Sequence, residues 1–265
     1  RDYTAYCEEM HRHITETDYP QRRGLTEATI NRFKLGFDAG FKTNDAAGTP
    51  ATWQALIIPT GRGHFVARNT DAAAGANDRI RKRGPSAVFN LEALQQAGPV
   101  FIVEGEIDAL SIIEAGGEAI GLGSVSNAGK LLQALDGIEL SKPLLLSLDN
   151  DKAGKAAQAD LAEKLQARGV PFLQTDINGP YKDANEALTA DRAAFIATVA
   201  EALDADARER EREKQAYLQT SAAGHIDAFL DGIAASIDTR CTSTGFPKLD
   251  AALDGAARDR LWAAR

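Results

Sequence analysis

The sequence predicts an α/β protein: a parallel sheet flanked by helices, preceded by a smaller α+β subdomain and followed by a charged helical linker. Three observations predict it. From Pro99 to about residue 203, short apolar runs alternate with helical patterns, the rhythm of strand–helix–strand units. Two of those runs, 100–103 and 144–148, are apolar almost without interruption, as strands covered on both faces are. Before Pro99 the pattern is mixed, with helical stretches and then a strand pair around Gly61-Arg62-Gly63.

In chain order, residues 2–16 read as a helix. A second helix starts at Thr26, an N-cap residue, carries Ile30 and Phe33 on one face, and is expected to stop at Gly36. Residues 38–50 are rich in Gly, Asp and Thr and are expected to form a loop. Trp53 to Pro59 and His64 to Arg68 make a hairpin, followed by a polar loop over 69–80 and a short helix ending near Gly98. Strands are then expected at 100–104, 118–122, 143–149 and 170–175. Helices are expected at 106–115, 128–135, 153–168 and 186–203, the last opened by Asp183 or Asn185. The Gly123-Ser124-Val125-Ser126 stretch is either a phosphate-binding turn or a plain loop. Residues 204–216 alternate in charge and read as a solvated helix or a tether, and an amphipathic helix is expected at 224–237.

The chemistry gathers at strand ends. The first apolar run leads into Glu104-Gly105-Glu106-Ile107-Asp108, and the second into Asp149-Asn150-Asp151-Lys152-Ala153-Gly154. This places Glu104, Asp149 and Asp151 at the carboxyl ends of strands, where open α/β sheets hold ligands. Such acids are either water-facing residues and helix N-caps or the oxygen donors of a hard cation, which relieves their mutual repulsion.

With 265 residues and a net charge of −8, the chain suffices for one large or two small domains, and its average balance is weakly against nucleic acid. The distribution says more. Residues 1–100 hold 13 Lys/Arg against 11 Asp/Glu, whereas residues 101–200 hold 8 against 15. Between positions 62 and 83 lie six bases, Arg62, Arg68, Arg79, Arg81, Lys82 and Arg83, against Asp71 and Asp78. The run is either a solvated face or a groove for phosphates, and a mildly basic half joined to an acidic one suits a protein holding a polyanion beside metal ions. No apolar run reaches transmembrane length, and there is no signal-peptide pattern. Cys7 and Cys241 are too few and too far apart for a disulfide framework or a zinc cluster, so a reducing, cytoplasmic setting is expected. The first residue is Arg1, so the chain is expected to be a fragment.

Glu104-Gly105 followed by Asp149-Asn150-Asp151 resembles the Toprim domain shared by bacterial primases, topoisomerases, some nucleases and recombination-repair proteins. Lys182-Asp183-Ala184-Asn185-Glu186 resembles the further motif of phage and mitochondrial-type primase–helicases, and Arg23-Gly24-Leu25 with Phe33 to Gly36 resembles the start of the DNA primase catalytic core. The resemblance implies a primase N-terminal subdomain at 1–98, a Toprim domain at 99–202, and a linker at 203–265 leading to a helicase attachment segment. Thr244-Gly245-Phe246 is similar to the lead-in of RecA-like helicase domains. No Gly-x-x-x-x-Gly-Lys-Ser/Thr loop follows, so the replicative helicase domain is expected outside this chain, and the fragment is expected to be a monomer or weak dimer without ATPase activity.

The reaction implied is metal-dependent nucleotidyl transfer. An RNA primer 3′-hydroxyl attacks the α-phosphate of an incoming ribonucleoside triphosphate on a single-stranded DNA template. The resemblance implies two or more Mg²⁺ or Mn²⁺ ions on Asp149, Asp151 and Asp183, with Glu104 as a further ligand or as general base. Lys182 joins the basic residues that meet nucleotide or nucleic acid. Gly105, Gly154, Asp108 and Asn185 are supporting positions. Asp108 is either a partner behind the metal ligands or a helix-start acid, and Asn185 stands where the family often has Asp. A Toprim nuclease or topoisomerase, and a non-catalytic Toprim module that binds nucleic acid, are the alternatives.

Overall fold

Four parallel strands in the order β6-β5-β7-β8 form the sheet that carries the acidic residues. They belong to a computed structural model that describes residues 1–138, 140, 142–220 and 248. The strands are β5 (Val100–Val103), β6 (Glu118–Gly121), β7 (Leu144–Leu146) and β8 (Phe172–Gln174). Alternate residues of β5 enter opposite cores: Phe101 and Val103 face one, Val100 and Ile102 the other. Helices α4 (Glu106–Glu114), α7 (Ala184–Ala190) and the start of α8 (Arg192–Thr220) cover the first face through Ile107, Leu110, Leu188, Phe195 and Val199. Helices α5 (Ala128–Ala134) and α6 (Lys152–Ala167) cover the second through Leu131, Leu132, Leu161 and Leu165. Burial on both faces is the reason these strands are continuously apolar.

The chain leaves β5 for β6 on one side and later returns to β7 on the other. The direction of winding therefore reverses between β5 and β7, and ligand crevices of open α/β sheets lie at such a reversal. Glu104 directly follows one of these two strands, and Asp149 lies three residues beyond the other.

A second sheet is antiparallel and runs β1-β2-β3-β4: β1 (Gly36–Asn44), β2 (Pro50–Gly61), β3 (His64–Asn69) and β4 (Ile80–Arg83). Trp53, Ala55 and Ile57 of β2 pack with Cys7, Tyr3, Tyr6 and Met10 of the N-terminal segment, whose helix α1 is Thr4–Arg12. Leu56 and Ile58 point the other way, into the core shared with Phe101 and Val103. Two short helices, α2 (Tyr19–Arg22) and α3 (Glu27–Arg32), precede this sheet.

Several sequence expectations are corrected. The loop expected at 38–50 is largely strand β1. A bulge between Asp38 and Phe41 inserts one residue and reverses the side-chain alternation, so Phe37, paired with Leu56, and Phe41, paired with Trp53, are buried on opposite faces although four residues apart. Gly36 opens that strand rather than ending the preceding helix, which closes at Phe33 before Lys34 turns with φ 51°. The basic run Ile80–Arg83 is itself a strand, paired to β3. The helix expected at 186–203 is two helices, broken at the extended residue Asp191.

Contacts gather Arg1–Asp206 into one unit and Ala207–Arg265 into another. The expected charged helix at 204–216 lies within α8. The expected helix at 224–237 and the Thr244-Gly245-Phe246 segment fall outside the described residues. No helix among the described residues is long and apolar enough to cross a membrane.

Candidate active site at the carboxyl edge of the parallel sheet

Each acidic side chain is fixed by the turn that leaves its strand. Glu104 follows β5 directly, and Gly105 behind it caps α4. A Cβ on Gly105 would lie 2.5 Å from Asp108 Oδ2, so glycine leaves room for that carboxylate to fold back against the strand end. Asp151 caps α6: its Oδ1 accepts from Gly154 N–H at 2.9 Å. Asp183 caps α7 in the same way, accepting from Glu186 N–H at 2.8 Å. Both are helix caps, and both keep a second carboxylate oxygen for other work.

Asn150, between the two aspartates, staples the loop. Its N–H donates to Lys182 O at 2.7 Å, and its side-chain amide donates to Gly179 O at 2.9 Å. Those bonds carry Lys182-Asp183 to the Asp149–Asp151 loop. Lys182 Nζ then lies 3.0 Å from Asp149 Oδ2 and 3.6 Å from Asp151 Oδ2. The three sequence motifs, separated along the chain, thus meet at one edge.

The electrostatics show crowding. Burial pushes the Glu104 carboxyl above its ordinary range, and the charges of Asp149 and Asp151 push it further. Burial also raises Asp149, against the pull of Lys182. The Gly154 N–H holds Asp151 low, and Asp149 holds Lys182 high. Asp108 is pushed up to about 7, first by burial and then by Asp183 and Asp149.

The Asp108 shift has a stability consequence. Between its ordinary value of 3.8 and about 7, the folded protein keeps a proton that the unfolded chain releases. Stability therefore falls as pH rises through that window, and the penalty is complete above about 7. Asp108→Asn should raise the melting temperature at pH 8, with the gain shrinking to nothing near pH 4. A melting profile parallel to the parent's across this range would contradict the assignment.

Asn185 acts as a brace. It is buried, its side-chain amide donates to Arg23 O and Ser111 Oγ, and its Oδ1 accepts from Arg23 Nη1 at 3.0 Å. Its backbone N–H donates to Asp108 Oδ1 at 3.2 Å. Arg23 and Arg68 converge on the Tyr19 hydroxyl, which accepts from both. Beside them opens a cavity of about 300 Å³ lined by Arg22, Arg23, Arg68 and Arg79. Arg22 and Arg23 were not among the basic candidates. Their signal is the arginine pair before Gly24-Leu25, and the partner that gives Arg23 its place, Asn185, is 162 residues away.

The remaining basic candidates diverge. Strand alternation sends Arg81 and Arg83 to one side, with guanidinium groups 4.6 Å and 4.8 Å from the ring centres of Trp53 and Phe41. Arg81 also pairs with Asp78 at 2.8 Å. Lys82 points to the opposite side and donates to Gly123 O at 2.5 Å. Arg62 sits in the β2–β3 turn, where its carbonyl accepts from Tyr3 N–H.

Among the described residues, no three His, Cys, Asp or Glu side chains are already gathered as a metal cluster. The donor set nevertheless fits a hard dication. It is all carboxylate oxygen, it is crowded by like charge, and a cationic group, the Lys182 ammonium, already bridges two of its members.

A family model described as Toprim-like matches residues 101–188. Residues 101–188 are a Toprim-like domain. The fold is similar to the primase fragment of the bacteriophage T7 primase-helicase protein, with TM-score 0.51 and 19% identity over 68% of this chain and 71% of that one. It is similar to the zinc-binding and RNA polymerase domains of the Aquifex aeolicus primase, with TM-score 0.53 and 16% identity over 83% and 68%. It is also similar to the RNA polymerase domain of the Mycobacterium tuberculosis primase, with TM-score 0.52 and 17% identity over 74% and 80%. At these identities the likeness is one of fold, and the fold is that of a Toprim primase core. No curated protein sequence matches the chain.

Proposed function

We infer that the chain is a DNA primase core that makes short RNA primers on single-stranded DNA. The observation that carries the reading is the meeting of Glu104, Asp149, Asp151 and Lys182 at the winding reversal of a Toprim sheet. The neighbouring arginine-lined cavity supports it by offering a place for polyanions. Asp149, Asp151 and Asp183 would hold Mg²⁺ or Mn²⁺, two ions or more. When bound, the metal supplies positive charge that lowers the pKa of the attacking 3′-hydroxyl and neutralises the triphosphate. Glu104, whose carboxyl is already raised, takes the hydroxyl proton or completes the ligand set. Arg23, Arg68 and Arg79 hold the phosphates of the triphosphate or the template, positioning the reactants rather than reacting. Work beside a replicative helicase domain belongs to the same reading, carried by the resemblance of the Lys182–Glu186 motif to primase–helicases.

The test is labelled ribonucleotide incorporation on unprimed single-stranded DNA, first with Mg²⁺ and then with Mn²⁺. Short RNA products are expected. Metal-dependent cleavage of DNA without nucleotides would assign a Toprim nuclease instead, and neither activity would leave a nucleic-acid-binding module. Arg68→Ala should weaken binding of single-stranded DNA or triphosphate and flatten its salt dependence, each lost phosphate contact reducing the log–log slope by roughly 0.7. An unchanged slope, measured by fluorescence anisotropy, would remove Arg68 from the phosphate track.

A further inference from the structure

We propose that Lys182 is a tethered cation that competes with divalent metal for Asp149 and Asp151, so that metal enters only as the ammonium swings out. The proposal rests on the metal-binding reading above. Its ground is geometric. Nζ sits 3.0 Å from Asp149 Oδ2 and 3.6 Å from Asp151 Oδ2, and a dication bridging these same oxygens would occupy the space of the ammonium. Like charges cannot share that space.

The tether is built for exchange. Its base is fixed: Lys182 O accepts from Asn150 N–H at 2.7 Å, and Lys182 N–H donates to Glu186 Oε2 at 3.1 Å. Its head is free to leave. The Lys182 side chain is 51% exposed, whereas Asp149 is only 12% exposed, so the lysine can turn to water while the aspartate stays. Four rotatable bonds allow that swing, and a compact ammonium is strongly hydrated once outside. The backbone bond to Asn150 also keeps the displaced head close to the site. Lys182 therefore offsets the repulsion between Asp149 and Asp151 and sets a threshold for metal loading.

The experiment compares Mn²⁺ affinity, read by electron paramagnetic resonance, in the parent, Lys182→Gln, Lys182→Arg and Asp149→Asn. Melting temperatures are taken in chelator and in Mn²⁺. Lys182→Gln removes the charge and leaves both backbone bonds. It should bind Mn²⁺ more tightly by on the order of tenfold, melt lower than the parent in chelator, and gain more from added Mn²⁺. Lys182→Arg should stay near the parent. If Lys182→Gln binds Mn²⁺ no tighter than the parent while Asp149→Asn loses it, the metal site stands and the competition is overturned. If Asp149→Asn binds like the parent, the metal reading itself fails, and the competition with it.

Discussion

Replacing Asp149 by Asn, or Asp151 by Ser, should each lower ribonucleotide incorporation on the order of 10³-fold or more, because in the proposed reaction each removes a charged metal ligand. The two variants should differ from simple unfolding in a specific way. Asp149 is partly buried and its carboxyl is raised, so losing its charge in chelator should leave the melting temperature unchanged or slightly higher. Asp151 is also the cap of α6, through its bond to Gly154 N–H. Ser at that position keeps a cap oxygen while removing the charge, whereas Asp151→Ala should cost a further ~1 kcal/mol of stability. Incorporation by both variants at the parent's rate would place the chemistry elsewhere. Equal melting of the Ser and Ala variants would remove the capping role.

Gly154→Ala should be nearly as damaging, for a purely steric reason. A Cβ at Gly154 would fall on the carbonyl oxygen of Asp149 and within 2.8 Å of its carbonyl carbon and Cβ. The first turn of α6 lies directly on the backbone of the residue that ends the apolar run, and there is no flexible side chain to yield. Overpacking of this kind costs about 1–3 kcal/mol. Moving the α6 N-terminus would also carry Asp151 away from Asp149, so Mn²⁺ affinity should fall with stability. A variant that melts and binds Mn²⁺ like the parent would show that this close approach does not set the spacing of the two acids.

The parallel sheet and its acidic edge were legible in the sequence for a physical reason. Strands buried on both faces must be apolar throughout, so residues 100–103 and 144–148 announce themselves, and the acids that follow stand out against them. The second sheet was only half legible. Its strand β1 hides behind a bulge that spoils the alternation at Asp38 to Phe41, and Gly and Asp, rare in strands, point to a loop. Its strand β4 carries Arg81, Lys82 and Arg83, whose charges read as a surface run. In the fold, two of them lie over aromatic rings and the third reaches Gly123. The role of Asn185 was hidden by distance. A substitution of Asp by Asn looks like a weakened ligand, yet its side-chain amide bonds Arg23 and Ser111 and its backbone N–H bonds Asp108, joining three segments far apart in sequence. Lys182 was read as a basic residue facing nucleotide, and no sequence pattern signals that its ammonium lies between Asp149 and Asp151.

In the proposed site Asp149, Asp151 and Asp183 would hold divalent metal at one sheet edge, with Glu104 beside it as a further ligand or as the base. Fe²⁺ can take the place of Mg²⁺ on carboxylate oxygens, and with peroxide and ascorbate it cuts the polypeptide backbone close to where it is bound. Cleavage of the Fe²⁺-loaded chain, mapped by mass spectrometry, should cluster at three places: residues 104–105, 149–151 and 182–183. The cuts should vanish together when excess Mg²⁺ is added and in the Asp149→Asn variant. Cuts at other positions, or cuts at these three that persist in Asp149→Asn, would contradict the claim.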